Sequence, residues 1–114
     1  MSDKIVIYQK PTCSKCRATL SLLKESGEEF ESINYYETLL TIDKLRELIN
    51  KLNLPVRELL RRDEPSARNL VTASDDDIIK AMVDNPDLIQ RPIVVRGSKA
   101  RLCRPPENVM EFLK

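Results

Sequence analysis

Apolar positions along the chain change their period several times, and each change marks an element. Ile5-Val6-Ile7-Tyr8 is a short β-branched run bounded by Pro11, which predicts a buried strand. From Ser14 to about Glu25 the apolar residues Cys16, Ala18, Leu20, Leu22 and Leu23 keep helical spacing, and Gly27 stands where a C-cap glycine belongs. Phe30 and the run Ser32-Ile33-Asn34-Tyr35-Tyr36 alternate less cleanly and predict a second strand. The helix between them is long enough for a parallel crossover.

The middle of the chain reads as helical. Thr41 can cap a helix carrying Ile42, Leu45, Leu48, Ile49 and Leu52. Pro55 interrupts, and Val56, Leu59 and Leu60 predict a short helix ending near Arg62-Asp63. Residues 63–73 are polar with Pro65 among them, which predicts a loop. Ser74 followed by Asp77 resembles a capping box with Asp in place of Glu or Gln. Ile78, Ile79, Met82 and Val83 give that helix its apolar stripe, and Pro86 marks its stop.

Two further strands, Pro92–Arg96 and Lys99–Cys103, flank Gly97-Ser98, a two-residue Gly-X connection that signals a type II′ hairpin. Pro105-Pro106 then opens a final helix with Val109, Met110 and Leu113 on one face. There are no repeats, no low-complexity stretch and no linker. The expected fold is a single α/β domain over residues 1–114 with a mixed sheet. Its order is βαβ, a helical insertion at about 41–88, then ββα.

Charge adds a local feature to this frame. The 19 Lys and Arg residues nearly cancel the 18 Asp and Glu, so nothing global points to nucleic acid or an anionic membrane as partner. Eight of the ten arginines nevertheless fall between positions 57 and 104, which leaves room for a local anion site. Histidine is absent, which removes the commonest general base and metal ligand. Any chemistry must therefore run on thiolate, carboxylate, Lys or Arg. No apolar run approaches 18 residues, and Met1-Ser2-Asp3-Lys4 leads straight into a strand without a signal-peptide core. Three cysteines, an odd number, suit a secreted disulfide framework poorly. A soluble cytoplasmic protein is expected.

The cysteines carry the candidate chemistry. Pro11-Thr12-Cys13-Ser14-Lys15-Cys16-Arg17 follows the first strand and opens the first helix. A thiol there meets unpaired backbone N–H groups and the positive end of the helix dipole, and Lys15 and Arg17 add cationic charge. Cysteines in such settings titrate at roughly 3.5–7.5 rather than about 8.5. Cys16 lies about one turn on, within reach of a disulfide. A C-x-x-C at a strand-to-helix junction reads as thioredoxin-like redox chemistry. Cys103 reads instead as a small buried hydrophobe within the last strand. One C-x-x-C, a lone third cysteine and no histidine fall short of four good zinc ligands, so no metal is expected.

At this point the chain resembles a known family. The βαβ…ββα order with a helix-opening C-x-x-C is similar to the thioredoxin/glutaredoxin fold, and the helical insertion resembles that of the arsenate reductase (ArsC) family, which shares the fold with Spx-type transcription regulators. Four segments carry the likeness: Tyr8–Lys15, Val56–Arg61, Arg91–Val95 and Arg101–Pro105. Arg-Pro-Ile alone is shared with the Spx branch, whereas Leu-Cys-Arg-Pro is typical of the reductases.

The resemblance implies that Cys13 is the catalytic nucleophile and that Arg61, Arg91 and Arg104 bind the oxyanion. It also makes Pro92 a candidate cis-proline. Arg57 and Arg62 match less securely and read as surface charges. Arginine suits the task, since its planar, always-charged fork can hold a tetrahedral anion that would otherwise repel a thiolate.

The implied reaction is reduction of arsenate to arsenite. Cys13 attacks arsenic, glutathione as co-substrate resolves the adduct, and glutaredoxin completes the cycle, with no bound cofactor. Two departures stand out. Cys16 replaces a common Ser, which adds a possible resolving thiol that glutaredoxin or thioredoxin would regenerate. Gln9 stands where some relatives carry a histidine. Two other readings compete: a Spx-like redox-sensing regulator, and a general thiol–disulfide oxidoreductase using the C-x-x-C alone.

Overall fold

Ile5, Ile7 and Val94 are fully shielded from solvent at the centre of a four-stranded sheet, as the β-branched runs demand. The computed structural model describes residues 4–10, 12–70 and 72–113. Met1-Ser2-Asp3 and Pro11, each assigned a part in the sequence analysis, lie outside the described residues. The strands are β1 (Ile5–Gln9), β2 (Phe30–Asn34), β3 (Ile93–Arg96) and β4 (Lys99–Leu102), in the spatial order β2-β1-β3-β4. β1 and β2 run parallel, while β1–β3 and β3–β4 are antiparallel, giving the expected mixed sheet. In the hairpin Arg96 faces Lys99, and Gly97 has a φ of 64°. Positive φ at the first central residue alone is the type II′ pattern.

The chain divides into two compact units, Met1–Thr38 with Arg91–Lys114, and Leu39–Gln90. The first holds the sheet and α1 (Ser14–Ser26), which ends on Gly27 in the left-handed conformation at φ 76°. Leu23 of α1 packs with Ile5, Ile7, Val94, Cys103, Val109 and Phe112. The second holds α2 (Ile42–Leu52), α3 (Val56–Leu59) and α4 (Asp75–Asp84). Thr41 and Ser74 cap α2 and α4 as anticipated, each side-chain oxygen accepting from the N–H three residues on. Among the described residues no helix is long and apolar enough to cross a membrane.

Several boundaries differ from expectation, each for a local reason. β2 stops at Asn34, because the Asn34 side chain accepts from the Tyr36 N–H at 3.0 Å and turns the chain, so Tyr35 and Tyr36 leave the sheet. α3 ends at Leu59, since Leu60 pairs instead with Ile89 in an isolated antiparallel bridge. Residues Pro65–Leu70, expected as loop, form a 3₁₀ helix that buries Ala67. The last helix, Pro106–Phe112, is also 3₁₀, and its three-residue turn buries Val109 and Phe112 while leaving Met110 53% exposed. Cys103 lies just beyond β4 and not within it. Its N–H still donates to the Pro92 carbonyl at 2.9 Å, and its side chain is buried as expected.

Candidate active site

Strand register sets the end of β1 level with the end of β2 and the start of β3. Tyr8 pairs with Ile93 of β3 and with Ile33 of β2, so both neighbouring strands are in line with β1 as it runs out towards the cysteine loop. Gln9, the last residue of β1, is buried there and donates through Nε2 to Ser32 Oγ at 3.0 Å. Its Oε1 is buried and has no hydrogen-bond partner among the described residues.

Cys13 is the N-cap of α1. Its backbone is extended (φ −84°, ψ 124°), and its N–H donates to the Lys10 carbonyl at 3.0 Å. Its Sγ accepts from the Cys16 N–H at 3.4 Å, so sulfur takes the place that an oxygen holds in a usual N-cap. Burial pushes the half-buried thiol up. Hydrogen bonds from the Cys16 thiol and N–H, the charge of Arg91 and the Lys15 N–H outweigh it, and hold Cys13 below the ordinary cysteine value.

The other two thiols behave in the opposite way. Cys16 is fully buried, and burial followed by its contact with the Cys13 sulfur pushes it up to about 12. Burial likewise pushes Cys103 up to about 12. All three cysteines are free. At pH 6–7, iodoacetamide is therefore expected to label Cys13 well ahead of Cys16 and Cys103, as read by mass spectrometry of the three peptides. Equal labelling would remove the case for an activated nucleophile.

Arg91 is 7% exposed and acts electrostatically on Cys13. Burial disfavours its charge, but Tyr35, Tyr36 and Cys13 outweigh that and favour it. The Arg91–Pro92 bond is cis, and so is Arg104–Pro105, which no motif pointed to. Arg104 Nη1 donates to the Arg91 carbonyl at 3.1 Å, tying the two arginines together.

Arg61 belongs to the second unit, where its N–H donates to the Leu88 carbonyl at 2.8 Å. Arg57 has a structural part there: it ion-pairs with Asp75 at 3.3 Å and donates to the Ala73 carbonyl. Arg62 lies on the surface, 3.9 Å from Glu58. The fold thus places Cys13, Cys16, Arg91 and Arg104 in one unit and Arg61 in the other.

Sequence reasoning missed three residues. Tyr36 packs against Tyr35 with ring centroids 5.1 Å apart and ring planes tilted by 43°. The Lys10 ammonium lies 4.7 Å, and the Arg91 guanidinium carbon 6.0 Å, from the Tyr36 ring centroid. Tyr35 is buried, and burial pushes its phenol up to about 12 against the pull of Arg91. The available signal was compositional: with three tyrosines and two phenylalanines in the chain, an adjacent Tyr-Tyr pair is conspicuous.

Comparison with known proteins gives a consistent picture. The model of the ArsC family matches residues 8–112. The chain is 46% identical to a protein of Escherichia coli K12 named "Uncharacterized protein YfgD", with 99% of each chain covered. It is 42% identical to the arsenate reductase of the same strain, over 97% of this chain and 82% of that one. Among solved structures, an arsenate reductase from Vibrio cholerae superposes with a TM-score of 0.92 at 41% identity, covering 99% of this chain and all (100%) of the other.

Proposed function

The chain belongs to the ArsC family and has its thioredoxin-like fold, and from that premise we propose that it reduces arsenate to arsenite. The observation that carries the proposal is the Cys13 sulfur at the start of α1, which accepts from the Cys16 N–H at 3.4 Å and whose pKa that contact and Arg91 lower. A thiolate needs both a lowered pKa and cationic shielding to approach an anion, and this end of the sheet supplies both.

In the proposed cycle the Cys13 thiolate attacks arsenic and displaces one oxygen, which leaves as water after protonation. A covalent sulfur–arsenic(V) adduct results. Arg91 and Arg104 hold the remaining oxygens and the charge that builds on them, a part that the family resemblance also gives to Arg61. Glutathione then supplies the second thiol. Arsenate and two thiols become arsenite, water and one disulfide, so arsenic gains the two electrons that the sulfurs lose. Glutaredoxin reduces the disulfide and frees Cys13.

One observation favours a second route. The Cys16 N–H reaches the Cys13 sulfur at 3.4 Å, which supports a reading with Cys16 as the second thiol and with glutaredoxin or thioredoxin reducing an internal Cys13–Cys16 disulfide. The deciding measurement is arsenate-dependent NADPH oxidation, with glutathione–glutaredoxin and thioredoxin systems supplied separately. Turnover is expected with glutathione and glutaredoxin. Absence of turnover in both systems rejects the reductase reading.

A further inference from the structure

The Tyr36 ring lies under two cations that nothing in the proposed chemistry requires to be near each other. Lys10 follows the end of β1, Tyr36 lies two residues past the end of β2, and Arg91 lies two residues before the start of β3, at the end of the sheet where Tyr8 pairs with Ile93 and Gln9 with Asn34. Lys10 Nζ is 4.7 Å from the Tyr36 ring centroid and the Arg91 guanidinium carbon 6.0 Å from it, both within cation–π range. The Asn34 side chain holds the Tyr36 backbone by accepting its N–H at 3.0 Å.

We infer that Tyr36 is a positioning residue, whose ring face steadies the Arg91 guanidinium for its work on Cys13 and on the oxyanion. The inference rests on the reading of Cys13 as nucleophile and Arg91 as anion-binding arginine. Its physical content lies in what kind of partner the ring is. Arg57 and Arg96 are fixed by carboxylates, from Asp75 at 3.3 Å and Glu28 at 2.9 Å. A carboxylate orients a guanidinium but also cancels its charge, leaving little for a substrate anion. An aromatic face orients the same group through its quadrupole and leaves the positive charge intact. The Tyr35 ring supports Tyr36 from beside it, tilted at 43° with ring centroids 5.1 Å apart.

The test follows Cys13 and not turnover alone. In the full-length protein, the pH profile of Cys13 alkylation by iodoacetamide is measured by peptide mass spectrometry. Tyr36→Leu is expected to slow Cys13 labelling at pH 6 by about 3–10-fold and to move its midpoint upward, the scale of losing one partly buried cation–π contact. Tyr36→Phe keeps the ring face and is expected to stay within about twofold of the parent. In an Arg91→Ala background, Tyr36→Leu is expected to add nothing further, because it acts through Arg91. Tyr36→Met gives the same comparison if circular dichroism shows that the Leu variant does not fold.

An unchanged profile in the Leu or Met variant overturns the inference. So does a loss with Phe equal to that with Leu, or an additive loss on top of Arg91→Ala. The outcomes also separate this inference from the function: a shifted Cys13 profile in a chain that never turns over arsenate rejects the reductase reading alone. An unchanged profile in an active reductase rejects the role of Tyr36 alone.

Discussion

Cys13→Ser is expected to abolish arsenate turnover with every reductant, while Cys16→Ser keeps most of it when glutathione and glutaredoxin are supplied. The first half follows from nucleophilicity, because a serine hydroxyl at neutral pH offers almost no anion to attack arsenic. The second half follows from the environment of Cys16. Its thiol is fully buried and pushed up to about 12, so at pH 7 it is almost wholly protonated and a poor attacking group. Glutathione carries no such penalty. Serine at position 16 also preserves what Cys13 needs, since the backbone N–H that reaches the Cys13 sulfur at 3.4 Å is unaffected and the hydroxyl can still donate. Rates in the two reductant systems, with single-turnover mass spectrometry of the protein thiols, check this. An internal Cys13–Cys16 disulfide as the main product in the presence of glutathione would transfer the second step to Cys16.

Arg91→Ala and Arg104→Ala are each expected to lower kcat/KM for arsenate by about 10²–10³, the scale for removing one preorganised charge-stabilising donor. Arg91 has a second effect, because its charge also lowers the Cys13 pKa. Its replacement is therefore expected to shift the pH dependence of turnover upward as well as reduce its height. Arg104 is fixed by its bond to the Arg91 carbonyl at 3.1 Å, so its loss is expected to reduce turnover with a smaller change in the pH profile. Arg91→Lys is expected to be poor too, since an ammonium cannot reproduce the planar fork. Arg57→Ala serves as the control: its partners are Asp75 and the Ala73 carbonyl, and turnover is expected to stay within about twofold. Steady-state kinetics across pH decide the pattern. Near-normal activity in the Arg91 and Arg104 variants would move the anion site elsewhere.

Local physics accounts for what was legible in the sequence. The caps at Thr41 and Ser74 and the stop at Gly27 depend on residues within one turn, and each lies where the spacing put it. The parallel β1–β2 pair and the antiparallel β3–β4 pair needed only β-branched runs, a crossover helix and a two-residue hairpin, whereas the β1–β3 pairing joins distant segments and had no local signal. Errors arose where two local signals conflicted. Tyr35 and Tyr36 have high β propensity, yet the Asn34 side chain ends the strand before them. Pro65 suggested a loop, although proline also tolerates the start of a tight helix. At the site, Cys13 announced itself through its place at a helix start. The contacts of Lys10, Tyr36 and Arg91 did not, because they join positions outside three different strands that lie far apart in the sequence.

Cys103 has a consequence of its own. It is fully enclosed among Ile5, Ile7, Leu23, Val94, Val109 and Phe112, with a thiol that stays protonated. A reagent can reach it only when that core breathes, so its slow modification in otherwise native protein becomes a clock for rare opening events. Where reclosing outpaces the reagent, the rate reports how often the open form is populated. Where it does not, the rate reports how fast the core opens. The chain thus carries, beside its reactive sulfur, a silent one that keeps time on the integrity of the sheet beneath it.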